Sequence, residues 1–420
     1  MLSKGRLRWR MLALMLIGTI VIYVDRNVLG VLAPILKKEL DFTTEQYSYV
    51  VSSFQIVYSF AQPVAGYLTD LIGPRLGYAV AAFVWGLAAA LHAFSGGWVS
   101  MAGFRALLGL SEAVAIPTGT KVSTVWFPSQ ERSVATGWFN SGSSIGSMIT
   151  PPLVIWLSLN YGWRPAFVIT GALGVGLSFL WYWLYRDPEN HPSLSANERA
   201  YIENGKTPDM AKPSFRNVLS QRRFLGIVIA RFLTEPAWQT FAFWIPLYMV
   251  SVRGMDIKQF ALFAWLPFLF SDLGCILGGY LAPLLRNRLH LQMVNARLTV
   301  ITIGALCMVG PALISFVAEP ITAILCFSLG GFAHQMLSSM MYALVGDVIE
   351  KSDVATATGV AGMFGYLGGA GFTLMVGALA NRIGYEPLFA LLFVFDLAAA
   401  LALWLFIGVR GASAATQPAQ

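Results

Sequence analysis

Twelve runs of largely apolar residues, each about 20 long or longer, constrain this chain more than any other feature. A bilayer core offers no water to unpaired backbone N–H and C=O groups, so each run has to cross as a helix that bonds to itself. The runs lie at roughly 11–34, 46–69, 76–95, 98–127, 132–159, 164–185, 223–251, 257–284, 295–316, 320–347, 353–380 and 386–409. A soluble core of this size could not bury 56% hydrophobic residues with only 12% charged. The expected fold is therefore an all-α membrane protein with twelve transmembrane helices in two pseudo-symmetric six-helix halves. The first run follows Lys4, Arg6, Arg8 and Arg10 and has no small-residue cleavage site, so it reads as a retained span rather than a signal peptide. The longest polar gap, 186–222, divides the chain into bundles 1–185 and 223–420 joined by a linker. Most of the 28 Lys and Arg residues fall on the side shared by the N-terminus and that linker. The positive-inside rule places both termini in the cytoplasm, and the net charge reports topology rather than nucleic-acid binding.

Charges inside the spans then point to the functional centre. Arg105 and Glu112 share the fourth run. A helix brings residues seven apart within about 20° in azimuth and roughly 10 Å along the axis, so both face one way. Asp25 and Arg26 lie in the first run at the depth of Arg105. Buried membrane charges cost a few kcal/mol or more, and they persist where they face a bundle interior and find partners. Asp25 with Arg105, and Arg26 with Glu112, are the expected pairs.

Internal repetition supports the division into halves. Gly66-Tyr67-Leu68 with Arg75 recurs as Gly279-Tyr280-Leu281 with Arg288. Ala135-Thr136-Gly137 and Gly146 recur as Ala357-Thr358-Gly359 and Gly368, and Gly162, Pro165 and Phe167 as Gly384, Pro387 and Phe389. Three matches in the same order indicate parallel repeats, as in major facilitator superfamily transporters. The stretch Gly66-Tyr67-Leu68-Thr69-Asp70-Leu71-Ile72-Gly73-Pro74-Arg75 resembles that superfamily's loop between its second and third helices. Asp25-Arg26, together with Arg105-x3-Gly109-x2-Glu112, resembles the anion:cation symporter family. Arg231–Gln239, Ser271–Gly279 and Gly330–Gln335 are similar to bacterial hexuronate transporters. The resemblance covers essentially the whole chain. It implies alternating-access import of a sugar acid such as glucuronate or galacturonate, with Asp70 and Arg75 latching the cytoplasmic gate. It further implies a bacterial inner-membrane location.

Each candidate has a functional and a bland reading. Arginine suits an anion because its planar fork gives a carboxylate two parallel bonds, which makes Arg26 and Arg105 candidate substrate ligands. A substrate carboxylate that takes the arginine leaves the displaced acid favouring its proton, so Asp25 and Glu112 are candidate proton-coupling residues. A static ion-pair network is the alternative. His334 lies as deep in the tenth run as Glu112 in the fourth, at the repeat offset, and would serve as a sugar ligand or second titrating group if not a structural donor. Glu235 precedes Pro236, a ladder-breaking residue of the kind found near transporter sites. Trp238 and Gln239 could hold a sugar ring and its hydroxyls, or simply pack the bundle. Tyr23, Gln55 and Ser143 complete the candidate cavity, and Lys121 reads as a structural, snorkelling lysine.

Cys275, Cys307 and Cys326 show no ligand spacing, and no disulfide or metal site is expected. No hydrolase, zincin or nucleotide-binding pattern sits in a usable context, so the reading is not an enzyme and needs no cofactor. The expected partners are a sugar acid, protons rather than sodium, and the lipid bilayer, with no nucleic acid and a monomeric state. A symporter for an aldonate, a dicarboxylate or an aromatic acid remains open on the same charges. A non-transporting membrane solute sensor and a drug/proton antiporter are the more distant alternatives.

Overall fold

The helices begin and end where the sequence supplies the chemistry to do so. The second span, Thr44–Ile72, starts at a reciprocal cap: Thr43 Oγ1 accepts from Gln46 N at 3.0 Å while Gln46 Oε1 accepts from Thr43 N at 2.9 Å. It stops at Gly73, whose φ of 86° suits a residue without Cβ, and Pro74 then opens the third span, Pro74–Leu91. Gly162 and Gly384 turn the chain at φ 88° and 83°, which gives the repeated glycine at these two sequence positions a common backbone reason.

In the computed structural model residues 6–128, 131–204, 215–349 and 354–408 are described. Among them the chain forms twelve helical spans. The first is Leu7–Glu39; the fourth combines Trp98–Glu112 and Ala115–Trp126; the fifth and sixth are Arg132–Tyr161 and Trp163–Leu184. Short helices Ala196–Asn204 and Phe215–Ser220 lie in the linker. The seventh span joins Arg222–Gln239 to Ile245–Ser251, and the eighth joins Ile257–Phe263 to Leu266–Leu289. The ninth, tenth, eleventh and twelfth are built on Met293–Cys307, Pro320–Val348, Val354–Ile383 and Glu386–Ile407.

Two interruptions have identifiable causes and both adjoin the charged centre. Pro117 cannot donate to the carbonyl one turn earlier, and the fourth span breaks immediately after Glu112. In the seventh span the missing N–H of Pro246 coincides with a π-helical turn over Thr240–Trp244. The Ala242 carbonyl there lies against Gly30 of the first span so closely that a Cβ on Gly30 would collide with it.

Three apolar cores reveal the conformation. One combines both halves at the end away from the linker, with Leu36, Tyr47 and Trp163 joining Trp244, Tyr248, Phe327 and Phe389. The other two lie at the linker end and are separate. Leu12, Tyr78, Trp85 and Trp181 belong to the first half, whereas Phe224, Ile301, Leu344 and Leu403 belong to the second. The halves are thus sealed together at one end and apart at the end that carries the linker. The linker follows the first half through Leu194 and Ile202, while Glu198 accepts from the backbone of Leu7 and Arg8 at the start of the first helix.

Candidate functional site

Adjacent residues on a helix point about 100° apart, and this decides what Asp25 and Arg26 can each reach. Arg26 faces the bundle interior. Its Nε and Nη2 donate to Glu112 Oε2 at 2.9 and 2.7 Å, and Nη1 donates to the Tyr366 hydroxyl of the eleventh span at 2.9 Å. The guanidinium sits 4.9 Å from the ring centres of Tyr23 and Phe54 and 5.0 Å from that of Tyr58, a cation–π cage that excludes water from the pair. The expected pairing of Arg26 with Glu112 is present.

The pairing of Asp25 with Arg105 is not. Asp25 is buried on the side of the first span that faces Thr170 of the sixth, and neither of its oxygens has an ion-pair partner. Arg105 instead donates from Nη1 to the Arg26 carbonyl at 3.2 Å and lies between Phe54 and Phe243, 4.7 and 5.4 Å from their ring centres. Its Nε and Nη2 have no acceptor although the side chain is fully buried. Depth alone suggested the wrong partner because it ignores azimuth.

The second half supplies the facing wall. Arg231 Nη2 donates to Glu235 Oε2 at 2.8 Å on the same helix, and Arg231 Nη1 donates to Ser338 Oγ at 3.3 Å. Gln239 Nε2 donates to Glu235 Oε1 at 3.2 Å, and Gln55 Nε2, from the other half, donates to Gln239 Oε1 at 3.0 Å. The predicted Gln55, Glu235 and Gln239 therefore form one row across the interface.

Other candidates fall differently. Trp238 is half-buried and packs edge-on to Phe268 and near-parallel to His334, at 5.7 and 6.1 Å between ring centres. His334 is buried behind Trp238 and Phe241, with its Nδ1 unpartnered, and meets none of the three carboxylates named above. Ser143 satisfies itself on the Asn140 carbonyl at 2.8 Å, while its neighbour Ser144 reaches across to Asp272 of the eighth span. Arg75 caps the Tyr182 carbonyl at 3.0 Å and stacks on that ring; the side chain of Asp70 lies outside the described residues. Lys121 donates to the Thr69 carbonyl at 3.2 Å, a structural contact near the end of the second span. Tyr58, Tyr366 and Arg231 were not among the predicted ligands. The spacing of Tyr58 three residues after Gln55, and of Arg231 four before Glu235, could have found two of them.

Residues 15–370 match the profile described as Major Facilitator Superfamily. The chain belongs to that superfamily. This facilitator is 45% identical over 406 residues to the hexuronate transporter of Escherichia coli strain K12, covering 96% of this chain and 94% of that one. It is 44% identical over 328 residues to the galacturonate transporter of Dickeya chrysanthemi, covering 77% of this chain and 95% of that one. Its fold is also similar to the crystal structure of a bacterial homologue of the human lysosomal transporter Spinster. The TM-score is 0.75 at 15% identity, covering 96% of this chain and 97% of that one. At such identity the likeness concerns the fold alone.

Proposed function

We propose that this facilitator imports a monoanionic sugar acid, a hexuronate such as glucuronate or galacturonate, in symport with protons by alternating access. The names of the relatives at 45% and 44% identity support the substrate class. The observation that carries the mechanism is the fully buried Arg105, which has no carboxylate partner. Arg26 and Arg231 pair with Glu112 and Glu235, Arg105 pairs with neither, and Asp25 stands apart from every arginine. Asp25 is the proposed site of the coupled proton. With Asp25 protonated, the six groups carry one surplus positive charge, which matches one substrate carboxylate. With Asp25 ionised the surplus vanishes. Proton and anion thus favour each other's binding, which is the thermodynamic requirement for coupling.

Arg26 is the proposed carboxylate partner, because its fork can exchange Glu112 for the substrate while Arg105 holds the Arg26 backbone. The released Glu112 then becomes a second place for a proton. Gln55, Glu235 and Gln239 offer donors and acceptors for hydroxyls. The bundles 1–185 and 223–420 rock about this layer, and the linker 186–222 and both termini are cytoplasmic. On that orientation, the separated cores face the cytoplasm. The protein acts as a monomer in the bacterial inner membrane.

The test is uptake of radiolabelled galacturonate and glucuronate into proteoliposomes, with and without an inward proton gradient. Accumulation above equilibrium that an uncoupler abolishes is expected. Gradient-insensitive equilibration would overturn the coupling, and no uptake alongside uptake of another organic acid would overturn the substrate.

A further inference from the structure

Arg231 and Glu235 form a buried ion pair whose exposures are both 5%, in the half opposite Arg26. The Glu235 carboxylate is occupied at both oxygens, by Arg231 at 2.8 Å and by Gln239 at 3.2 Å. Arg231 is less fully used: its Nε has no acceptor, and its guanidinium lies 4.9 Å from the ring centre of Tyr342, which is 50% exposed. Across from it Gly365 of the eleventh span packs against the guanidinium, since a Cβ there would stand 3.4 Å from Arg231 Nη2. Tyr366, the next residue, accepts from Arg26 Nη1 at 2.9 Å. Arg26 and Arg231 therefore reach adjacent residues of the eleventh span from opposite halves.

We propose that Glu235 selects ligands with one carboxylate over ligands with two, by occupying the arginine that a second carboxylate would otherwise take. The inference rests on the sugar-acid reading and deepens it. A hexuronate carries its charge at one end and a neutral hydroxyl-bearing carbon at the other; the corresponding hexarate carries a carboxylate at both. With the first carboxylate on Arg26, the neutral end meets Glu235, Gln239 and Gln55, which accept and donate hydrogen bonds. A second carboxylate in that place would face the Glu235 charge, with Arg231 already engaged. The single surplus positive charge of the six groups also leaves a dianion half unbalanced. Rejection of the dianion is thus a repulsive device rather than a missing contact.

The experiment measures binding of galacturonate and galactarate, which differ only at C1, to the purified full-length protein in detergent. The unaltered chain is expected to prefer galacturonate. Glu235→Gln frees Arg231 and should shift the ratio of the two affinities toward galactarate by about ten- to a hundredfold, the worth of one charge-assisted hydrogen bond. Adding Arg231→Gln to that variant should abolish the shift. If Glu235→Gln does not fold, Glu235→Asp keeps the charge but shortens its reach to Arg231, and should move the ratio a few-fold the same way. An unchanged ratio in the folded single variant, or a shift that survives loss of Arg231, overturns the proposal. Failure of the unaltered chain to bind galacturonate overturns the substrate reading itself, and this inference with it.

Discussion

In the first half the central ion pair runs between helices, with Arg26 of the first span meeting Glu112 of the fourth at 2.7 Å; in the second half Arg231 and Glu235 sit one turn apart on a single helix at 2.8 Å. An interhelical pair changes whenever the two spans shift, whereas an i,i+4 pair travels with its helix through any rigid-body motion. The first pair can therefore be opened by a competing carboxylate, and the second acts as a fixed local charge arrangement. Their surroundings differ in the same sense. Each arginine keeps a hydroxyl and an aromatic contact if its glutamate is lost, Tyr366 and the Tyr23, Phe54 and Tyr58 rings for Arg26, Ser338 and the Tyr342 ring for Arg231, but Glu112 ends a broken helix whereas Glu235 lies within a continuous one.

The largest expected effect separates the two pairs by stability. Glu112→Ala leaves the caged Arg26 as an uncompensated buried charge, at a cost of about 3–5 kcal/mol. Thermal unfolding in detergent should register a clearly smaller loss for Glu235→Ala, and equal losses would break the comparison. Glu112→Gln, which mimics the protonated acid, should abolish acid-driven accumulation yet retain substrate counterflow, and Asp25→Asn should do the same. Glu235→Gln should still respond to the gradient; if it loses coupling as completely as Glu112→Gln, the distinction between a switching and a fixed pair fails.

Geometry gives a smaller contrast. Arg26→Lys keeps the charge but loses the two donors that converge on Glu112 Oε2 and the fork that could give a substrate carboxylate two parallel bonds, so apparent Kd for galacturonate should rise by about ten- to a hundredfold. Arg231→Lys should raise it several-fold less, since its glutamate partner is local and takes a single N–H from the guanidinium. The same ligand panel, extended with galacturonate methyl ester, should find the preference for acid over ester reduced in Arg26→Ala. A preference that survives there and collapses in Arg105→Ala would reverse the roles assigned to the two arginines. Smallest of all, Arg297→Gln removes the partly exposed pair with Asp347 at 2.9 Å and should change stability by about 0–1 kcal/mol. Arg8→Gln should cost more, because the Arg8 to Glu198 pair is only 2% and 3% exposed.

How far the sequence could be read depends on which physics acted. Lipid leaves the backbone one solution, so all twelve spans were legible, even though only ten carry a long apolar window among the described residues. The two exceptions, the second and seventh spans, place Gln55, Tyr58, Arg231 and Glu235 on the interface between halves, and polarity there reflects the site rather than a loop. Gly146 and Gly368 were legible as a repeat but not as a contact: each lies against a carbonyl of the neighbouring span, Ile20 in one case and Phe232 in the other. The buried charges were legible by type, and one of the two expected pairs formed.

The sequence by itself determined the helical architecture, the membrane setting and the residues that carry charge into it, because each follows from local composition and the cost of burying polar groups. Only the tertiary structure decided who meets whom. The rotation of the first helix turned Asp25 toward Thr170 and gave Arg26 to Glu112; the π-helical turn brought Phe243 onto Arg105. Separation of the apolar cores at the linker end was equally invisible beforehand, since identical spans can be sealed at either end by the same apolar surface. Azimuth, side-chain reach and relative placement of two bundles are properties of the packed chain, and periodicity along one helix carries no information about its neighbour.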